Sequence, residues 1–400
     1  MGITDSDMYK NLQTPCFIFN EMEFERGVSG FREALESRFA NVKIGYSVKT
    51  NSLPYALQFA RQLGCMAEVV SHDEYRLARL CGYNPDEIIY NGPMKSKETF
   101  IEAVVGGAIV NLEAKRELDW LDELPDNKIH NIGIRLNINI SHVSPEDADG
   151  EDDNSRFGFS DESDEFKEAL NRIELNSKVR LAGLHIHRTT HSRSPLFYER
   201  SVGYAVKVIR KYDLNIDYID VGGGYFGIFP NKPTFTDYAE ALRNSLDDPE
   251  FNNLTIIIEP GNALTASPFS FLSEVIDLKR VDSDTHFVTT DGSRNDIDTF
   301  FKKTDYLKEI IFKDSKGQRE RLPLQIVTGC TCLEYDRLFT LRDFPGLKVG
   351  DRILYNNVGA YTLTLSPQFI RLWPRVYALG KDGEFKLVRR ESQVEDILSK

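Results

Sequence analysis

The chain has 400 residues, of which 41% are hydrophobic, 28% charged and 11% aromatic, an ordinary balance for a folded protein with a sizeable core. Its formal net charge of -13 excludes a general nucleic-acid binder, which needs a basic face to neutralise phosphates. No apolar run approaches the ~20 residues a membrane helix requires, and the polar, acidic stretch Met1–Lys10 does not read as a signal peptide.

Cys16, Cys65, Cys81, Cys330 and Cys332 are odd in number and scattered, a pattern suited to a reducing cytoplasm. Cys330 and Cys332 stand too close for a relaxed disulfide and lack the companions of a zinc site, so no metal is expected.

In chain order, Cys16–Phe19 (CFIF) is strand-like and precedes the main pattern. Short apolar runs then alternate with helical segments. The expected strands are Lys43–Asn51, Met66–Ser71, Glu87–Gly92, Ala108–Glu113, Asn131–Ile140, Leu181–Thr190, Ile216–Gly224 and Leu254–Ala263. Several are continuous Val, Ile and Tyr runs, as parallel strands covered on both faces require. Helical spacing appears at Leu53–Leu63, Asp73–Cys81, Glu165–Asn176, Tyr198–Tyr212 and Tyr238–Leu246; the first two stop at Gly64 and Gly82.

Eight such units point to a closed (β/α)8 TIM barrel over residues 31–291, with an open doubly wound sheet as the rival. Past residue 292 the alternation stops. Glu320–Val327, Arg352–Asn356 and Phe369–Ala378 read as strands of a mostly β domain over 292–400. The segment 1–30 is expected to join that domain through Cys16–Phe19. Between barrel strands five and six, Ser144–Ser155 carries six acidic residues and reads as a solvated excursion, with an acidic lid as the weaker alternative.

In such barrels the working residues lie at the C-terminal strand ends. Lys49 closes GYSVKTN; its amine suits a Schiff base with a carbonyl cofactor, or it is a surface lysine past the strand. Asp220–Gly224 (DVGGG) ends the seventh strand, where glycines either converge on a phosphate or make a tight turn. Glu259 in IIIEPG is placed to hold a pyridine nitrogen protonated, or to form a structural ion pair. His187 in HIHRTT is placed to stack on a planar ring, while His185 beside it reads as a satisfied core residue. Thr190 offers a hydroxyl to a phosphate.

Together with DGSRND (Asp291–Asp296), GCTCLEYD (Gly329–Asp336), GAYT (Gly359–Thr362) and the stretch Arg76–Ser96, these motifs follow the order of one family. The chain resembles the fold-type III pyridoxal-phosphate decarboxylases, the diaminopimelate, ornithine and lysine decarboxylase group, over nearly its whole length. The resemblance implies pyridoxal 5'-phosphate as cofactor, bound covalently by Lys49. It implies His187 stacked on the ring and Glu259 at the pyridine nitrogen. Thr190, Gly222, Gly223, Gly224 and Tyr361 would hold the phosphate. Cys332 would return a proton to the α-carbon after carbon dioxide leaves, reaching in from the other subunit of a homodimer. Glu334, Asp336 and Tyr361 are the implied substrate contacts, and Arg135 and Arg156 match family positions that read as structural.

Four departures concern the pocket. Asn262 stands where the family usually carries arginine after EPG. Thr189–Thr190 replaces a glycine–serine pair, inside a basic HRTTHSR in which Arg188 or Arg193 offers a substitute charge. Leu333 follows the cysteine where the family has an acid, and Thr299 lies near the place of a diaminopimelate-binding arginine. The expected function is therefore an amino-acid α-decarboxylase of a specialised biosynthetic pathway. Its substrate is non-standard, free or carrier-tethered, and diaminopimelate is disfavoured. A racemase on the same fold and a non-catalytic regulatory relative are the alternatives.

Overall fold

The structure is a computed structural model that describes residues 8–150, 153–314 and 317–398. The chain divides into two compact units. One runs from Glu25 to Leu264; the other combines Met1–Phe24 with Thr265–Lys400. The expected limits at 30/31 and 291/292 thus differ from the observed ones.

Strand β1 (Cys16–Asn20) belongs to the second unit. The barrel follows as β2 (Asn41–Ser47), β3 (Met66–Ser71), β4 (Ile88–Met94), β5 (Ile109–Leu112), β6 (His130–Arg135), β7 (Val179–His185), β8 (Tyr218–Asp220) and β9 (Thr255–Ile258). All eight pair in parallel, and β9 closes on β2 with Asn41 opposite Thr255 and Ile44 opposite Ile258. Closure decides against the open sheet. With the ring complete at Ile258, the next strand has no barrel edge to join, so the barrel unit ends before residue 291.

The barrel interior is packed rather than hollow. Met66, Ile89, Ala182, Tyr218 and Ile257 form one buried cluster. The Tyr218 ring fits because two neighbours are glycine: a Cβ on Gly183 would lie 2.3 Å from that ring, and one on Gly133 would lie 2.1 Å from its hydroxyl. Helices such as Pro54–Gln62, His72–Leu80, Asp164–Leu175, Pro195–Lys211 and Phe235–Ser245 connect the strands. Several begin on side-chain caps: Ser71, Ser194 and Thr234 accept from the N–H three residues on, satisfying donors the first turn leaves free.

In the second unit the sheet adds β10 (Phe269–Arg280), β11 (Thr285–Thr290), β12 (Lys308–Ile311), β13 (Arg321–Thr328), β14 (Arg337–Pro345), β15 (Arg352–Asn356), β16 (Arg375–Leu379) and β17 (Phe385–Arg389). The nine strands run β14-β13-β11-β10-β1-β16-β17, with β15 pairing β10 and β12. Strand β1 is antiparallel to β10 and parallel to β16. Leu12, Cys16, Ile18, Leu272, Ile311, Leu354 and Leu379 make its buried core. Residues 369–374, expected as strand, lie outside β16, and Ile370 has a φ of 68°, a conformation no strand contains.

The acidic excursion is not simply solvated. Glu151 and Asp152 lie outside the described residues, but their neighbours are tied down. Asp147 is buried and accepts from the hydroxyls of Ser144, Ser192 and Ser194. Asp153 pairs with Arg188 at 2.5 Å, and Glu146 with Arg200. The basic HRTTHSR segment therefore holds this loop, and charge complementarity explains why both are there.

Candidate active site

Strand β2 stops at Ser47, and Lys49 sits in a one-turn 3-10 helix, Val48–Thr50, rather than in the strand itself. Its Nζ lies 2.6 Å from Glu68 Oε2 on β3. The Ser47 hydroxyl donates to the same oxygen at 2.6 Å. Glu68 is almost fully buried while Lys49 keeps about a third of its side chain exposed. An ion pair with one desolvated partner holds the amine in place and leaves it reachable.

Two further carboxylates are buried nearby. Glu259 follows β9, and Asp220 ends β8. With His185, their ligand atoms all lie within 4.8 Å of one another. His185 Nε2 is 3.6 Å from Glu259 Oε2, and neither ring nitrogen has a hydrogen-bond partner. His185 is thus buried, as expected, but not satisfied. Two carboxylates this close in a dry site cannot both stay ionised. Burial, then the Glu259 charge, pushes Asp220 well above the usual carboxylate range. Glu259 goes the other way: against its own burial, His185, Lys49 and Asp220 hold it below that range. The pair therefore presents one negative charge, on Glu259.

A hydrogen-bonded column reaches Glu259 from the barrel centre. Tyr218 OH donates to Asn111 Oδ1 at 2.8 Å, Asn111 Nδ2 to Asn91 Oδ1 at 2.8 Å, and Asn91 Nδ2 to Glu259 Oε1 at 2.5 Å. The Asn91 amide also faces Glu68 Oε1 at 3.4 Å, so one side chain spans both carboxylates. Neither Glu68 nor Asn91 was singled out from the sequence. The available signal was a charged residue inside the apolar strand MAEVVS, where an unpaired acid is costly.

His187 is half-buried, and burial first, then Arg135 and Lys49, push its imidazole well below the usual value. Its Nδ1 accepts the Gly223 N–H at 2.9 Å, which leaves any ring proton on Nε2. Arg135 is buried, paired with Glu113 at 2.6 Å, and donates to the His187 carbonyl at 2.9 Å.

The three glycines pack too closely against their neighbours to admit any side chain. A Cβ on Gly222 would meet His187 Nδ1 at 2.3 Å, on Gly223 the Glu259 carbonyl at 2.3 Å, and on Gly224 the Tyr198 hydroxyl at 2.9 Å. Gly222 and Gly224 also have φ of 72° and 99°, which glycine alone adopts without strain. Their N–H groups are not equivalent. Gly222 N–H donates to Asp220 Oδ1 at 3.0 Å and Gly223 N–H to His187, which leaves Gly224.

A part-exposed amine held by a carboxylate, an ionised buried carboxylate, a neutral imidazole face and a side-chain-free loop are the donor set a phosphorylated pyridine aldehyde needs. The described residues fit that group.

In the sheet unit, all five cysteines of the chain being unbridged, Cys332 is exposed and Cys330 partly buried. Burial raises the Cys330 thiol above its usual value. Cys330, Cys332, Leu333, Glu334 and Asp336 line one cavity of about 370 Å³. Asp336 is buried, and its carboxylate accepts from Thr331 N (3.1 Å), Thr331 Oγ1 (2.6 Å) and Arg294 N (2.8 Å). It shapes the cysteine turn. Glu334 is exposed, and Tyr361 has a φ of 60° with its carbonyl accepting from Thr299 Oγ1 at 2.9 Å.

Comparison with known proteins gives this geometry its context. Residues 23–266 match the family model "Pyridoxal-dependent decarboxylase, pyridoxal binding domain". The chain is 28% identical over 401 residues to a probable chloroplastic diaminopimelate decarboxylase of Oryza sativa subsp. japonica, covering 96% of this chain and 79% of the relative. It is 26% identical to the L-glutamyl-[BtrI acyl-carrier protein] decarboxylase of Niallia circulans, over 98% of this chain and 94% of that one. The crystal structure of a diaminopimelate decarboxylase from M. jannaschii shares the fold with a TM-score of 0.84 at 23% identity, covering 98% of this chain and 93% of that one. The match to the family model covers more than half of the chain, and the chain belongs to the pyridoxal-dependent decarboxylases, as an amino-acid carboxy-lyase with pyridoxal 5'-phosphate as its cofactor.

Proposed function

We propose that this decarboxylase acts on an amino acid with a non-standard distal end, using Lys49 to hold the cofactor covalently. The observation that carries the reading is the Lys49 amine, paired with buried Glu68 and facing the same strand-end mouth as ionised Glu259. Pyridoxal phosphate, when bound, supplies an electron sink for the pair released as the α-carboxylate leaves. Everything else falls to side chains of this chain.

Glu259, kept ionised by His185, Lys49 and Asp220, would accept a hydrogen bond from the protonated ring nitrogen. Asn91 fixes its orientation. The neutral His187 ring, held in place by Gly223 and Arg135, would cover one face of the pyridine. The family resemblance implies that Thr190, Gly222, Gly223, Gly224 and Tyr361 would hold the phosphate; with the Gly222 and Gly223 N–H groups engaged by Asp220 and His187, Gly224 N–H and the Thr190 hydroxyl would be the donors. Glu68 Oε2 accepts from both the Lys49 amine and the Ser47 hydroxyl, which holds the amine in position. In the same resemblance, Cys332 returns a proton to the α-carbon from the second chain of a homodimer, a task within reach of a thiol near neutral pH.

The substrate reading rests on the departures Asn262, Leu333 and Thr299. An apolar Leu333 in place of an acid removes a partner for a distal ammonium, and losing a buried counter-charge costs several kcal/mol of recognition, roughly 10³-fold. That disfavours diaminopimelate. A carrier-tethered acyl group, the substrate that the Niallia circulans relative's name describes, presents no distal ammonium and fits an apolar residue there.

A panel of free and carrier-tethered amino acids, including D-isomers, scored for carbon dioxide and amine product tests the reading. Preferred turnover of meso-diaminopimelate, or racemised amino acid without carbon dioxide, would overturn it. Lys49→Ala should abolish the visible absorbance of the bound cofactor and lower turnover by about 10³-fold or more. Absorbance and activity left intact would remove Lys49 from its role.

A further inference from the structure

We infer that Arg193 supplies the positive charge that binds the phosphate of the cofactor at the barrel mouth. The inference rests on the reading above, in which the loop after β8 and Thr190 face that phosphate.

A phosphomonoester near neutral pH carries close to two negative charges and needs more than a single N–H to hold it. The glycine loop supplies little. Gly222 N–H is engaged by Asp220 and Gly223 N–H by His187. The turn after β7, which carries Thr190 and Arg193, also has a carboxylate against it: buried Asp147 accepts from the hydroxyls of Ser192 and Ser194. A dianion beside that carboxylate requires a cation.

Two arginines of HRTTHSR are available, and the structure separates them. Arg188 is neutralised: its Nη2 contacts Asp153 Oδ1 at 2.5 Å, and Nη1 donates to the Ile138 carbonyl at 3.0 Å. Arg193 forms no ion pair with any carboxylate among the described residues. Its guanidinium lies 5.0 Å from the centroid of the Phe226 ring, two residues past Gly224. Stacking on an aromatic face leaves all five guanidinium N–H groups able to donate in the ring plane.

The backbone of Arg193 is pinned to both phosphate elements. Its N–H donates to Thr190 Oγ1 at 3.0 Å. Its carbonyl accepts from Tyr238 OH at 2.8 Å, and the same hydroxyl accepts the Phe226 N–H at 3.2 Å. One tyrosine thus clamps the arginine turn to the glycine loop. The φ of 49° at Arg193 is an unfavourable conformation for a residue with a Cβ; these bonds hold it. The charge reaches the loop as well: Arg193 acts on Tyr198, whose hydroxyl donates to the Gly223 carbonyl at 3.1 Å.

The test compares binding of pyridoxal phosphate and pyridoxal, which lacks the phosphate, to the full apo chain by absorbance titration. Arg193→Gln should weaken the phosphorylated form by about 10- to 100-fold, the range of one charged hydrogen-bonding partner, and change pyridoxal binding by less than about twofold. Arg193→Lys should restore most of the preference, and Arg188→Gln should leave it unchanged. An unaltered melting temperature of apo Arg193→Gln excludes misfolding, and inorganic phosphate should stabilise the wild-type apo chain more than this variant. Arg193→Gln retaining the full wild-type preference would overturn the inference. A Gly224→Ala chain that also kept that preference would instead move the phosphate away from this loop and remove the underlying reading.

Discussion

In the barrel mouth, Glu68, Asp220 and Glu259 are almost wholly buried, and each is met by an amine, an imidazole, a backbone N–H or a side-chain amide. In the sheet unit, Cys332 and Glu334 are exposed, on a turn whose shape is maintained by the buried carboxylate of Asp336. The first arrangement fixes protonation states through low dielectric and close charge. The second presents side chains on a surface loop that tolerates substitution. The departures from the family fall in both units: Asn262 and Thr189–Thr190 lie in the barrel unit, Leu333 and Thr299 in the sheet unit. A buried network of paired charges constrains its members tightly, whereas residues on an exposed turn have fewer partners to satisfy.

The sharpest break in this comparison is Cys332→Ala. Loss of a positioned proton donor should lower turnover by about 10²- to 10⁴-fold, with cofactor affinity and melting temperature unchanged. Steady-state amine production and a thermal melt check both halves. Turnover within threefold of wild type would show that Cys332 carries no proton.

Asn91→Leu should behave oppositely. Two buried carboxylates lose a donor, at about 1–3 kcal/mol each, so stability and cofactor binding should fall together. Calorimetry and absorbance titration read the two quantities. A variant that lost cofactor affinity without any drop in melting temperature would separate site from scaffold, against the comparison.

The smallest effect concerns Glu74, beside this mouth, which burial pushes up to about 7 despite the Val70 N–H it accepts. A carboxyl whose folded-state value exceeds its unfolded one binds more protons when folded. Its contribution is therefore favourable at low pH and is lost as pH rises from about 4.5 through about 7. Glu74→Gln should flatten that part of the stability profile, measured by urea unfolding at a series of pH values. An unchanged slope would show that Glu74 titrates normally.

Much of this was legible in the chain itself. Each of the eight barrel strands overlaps an expected one, and several are continuous apolar runs because both faces of a parallel sheet are covered; Glu68, Asn91 and Asn111 are polar residues within the strands. Strand ends were less legible: Lys49, expected within a strand, lies in the turn after β2, where backbone hydrogen bonding rather than side-chain pattern sets the limit. The acidic excursion was misjudged because composition alone does not reveal that Arg188 and Arg200 meet it.

Lys49, opposite the glycine loop and Glu259, shows where the division falls. Sequence by itself determined which chemical groups stand at the strand ends and in what order, since a lysine, three glycines and a glutamate after apolar runs need no partner to be read. Only the tertiary structure decided which of those groups are charged. Glu259 is ionised because Asp220, His185 and Lys49 surround it. Asn91 spans two acids, and Arg193 rather than Arg188 is left without a carboxylate partner among the described residues. Such outcomes depend on distances between residues far apart in the chain, and in a dry interior those distances set the energies.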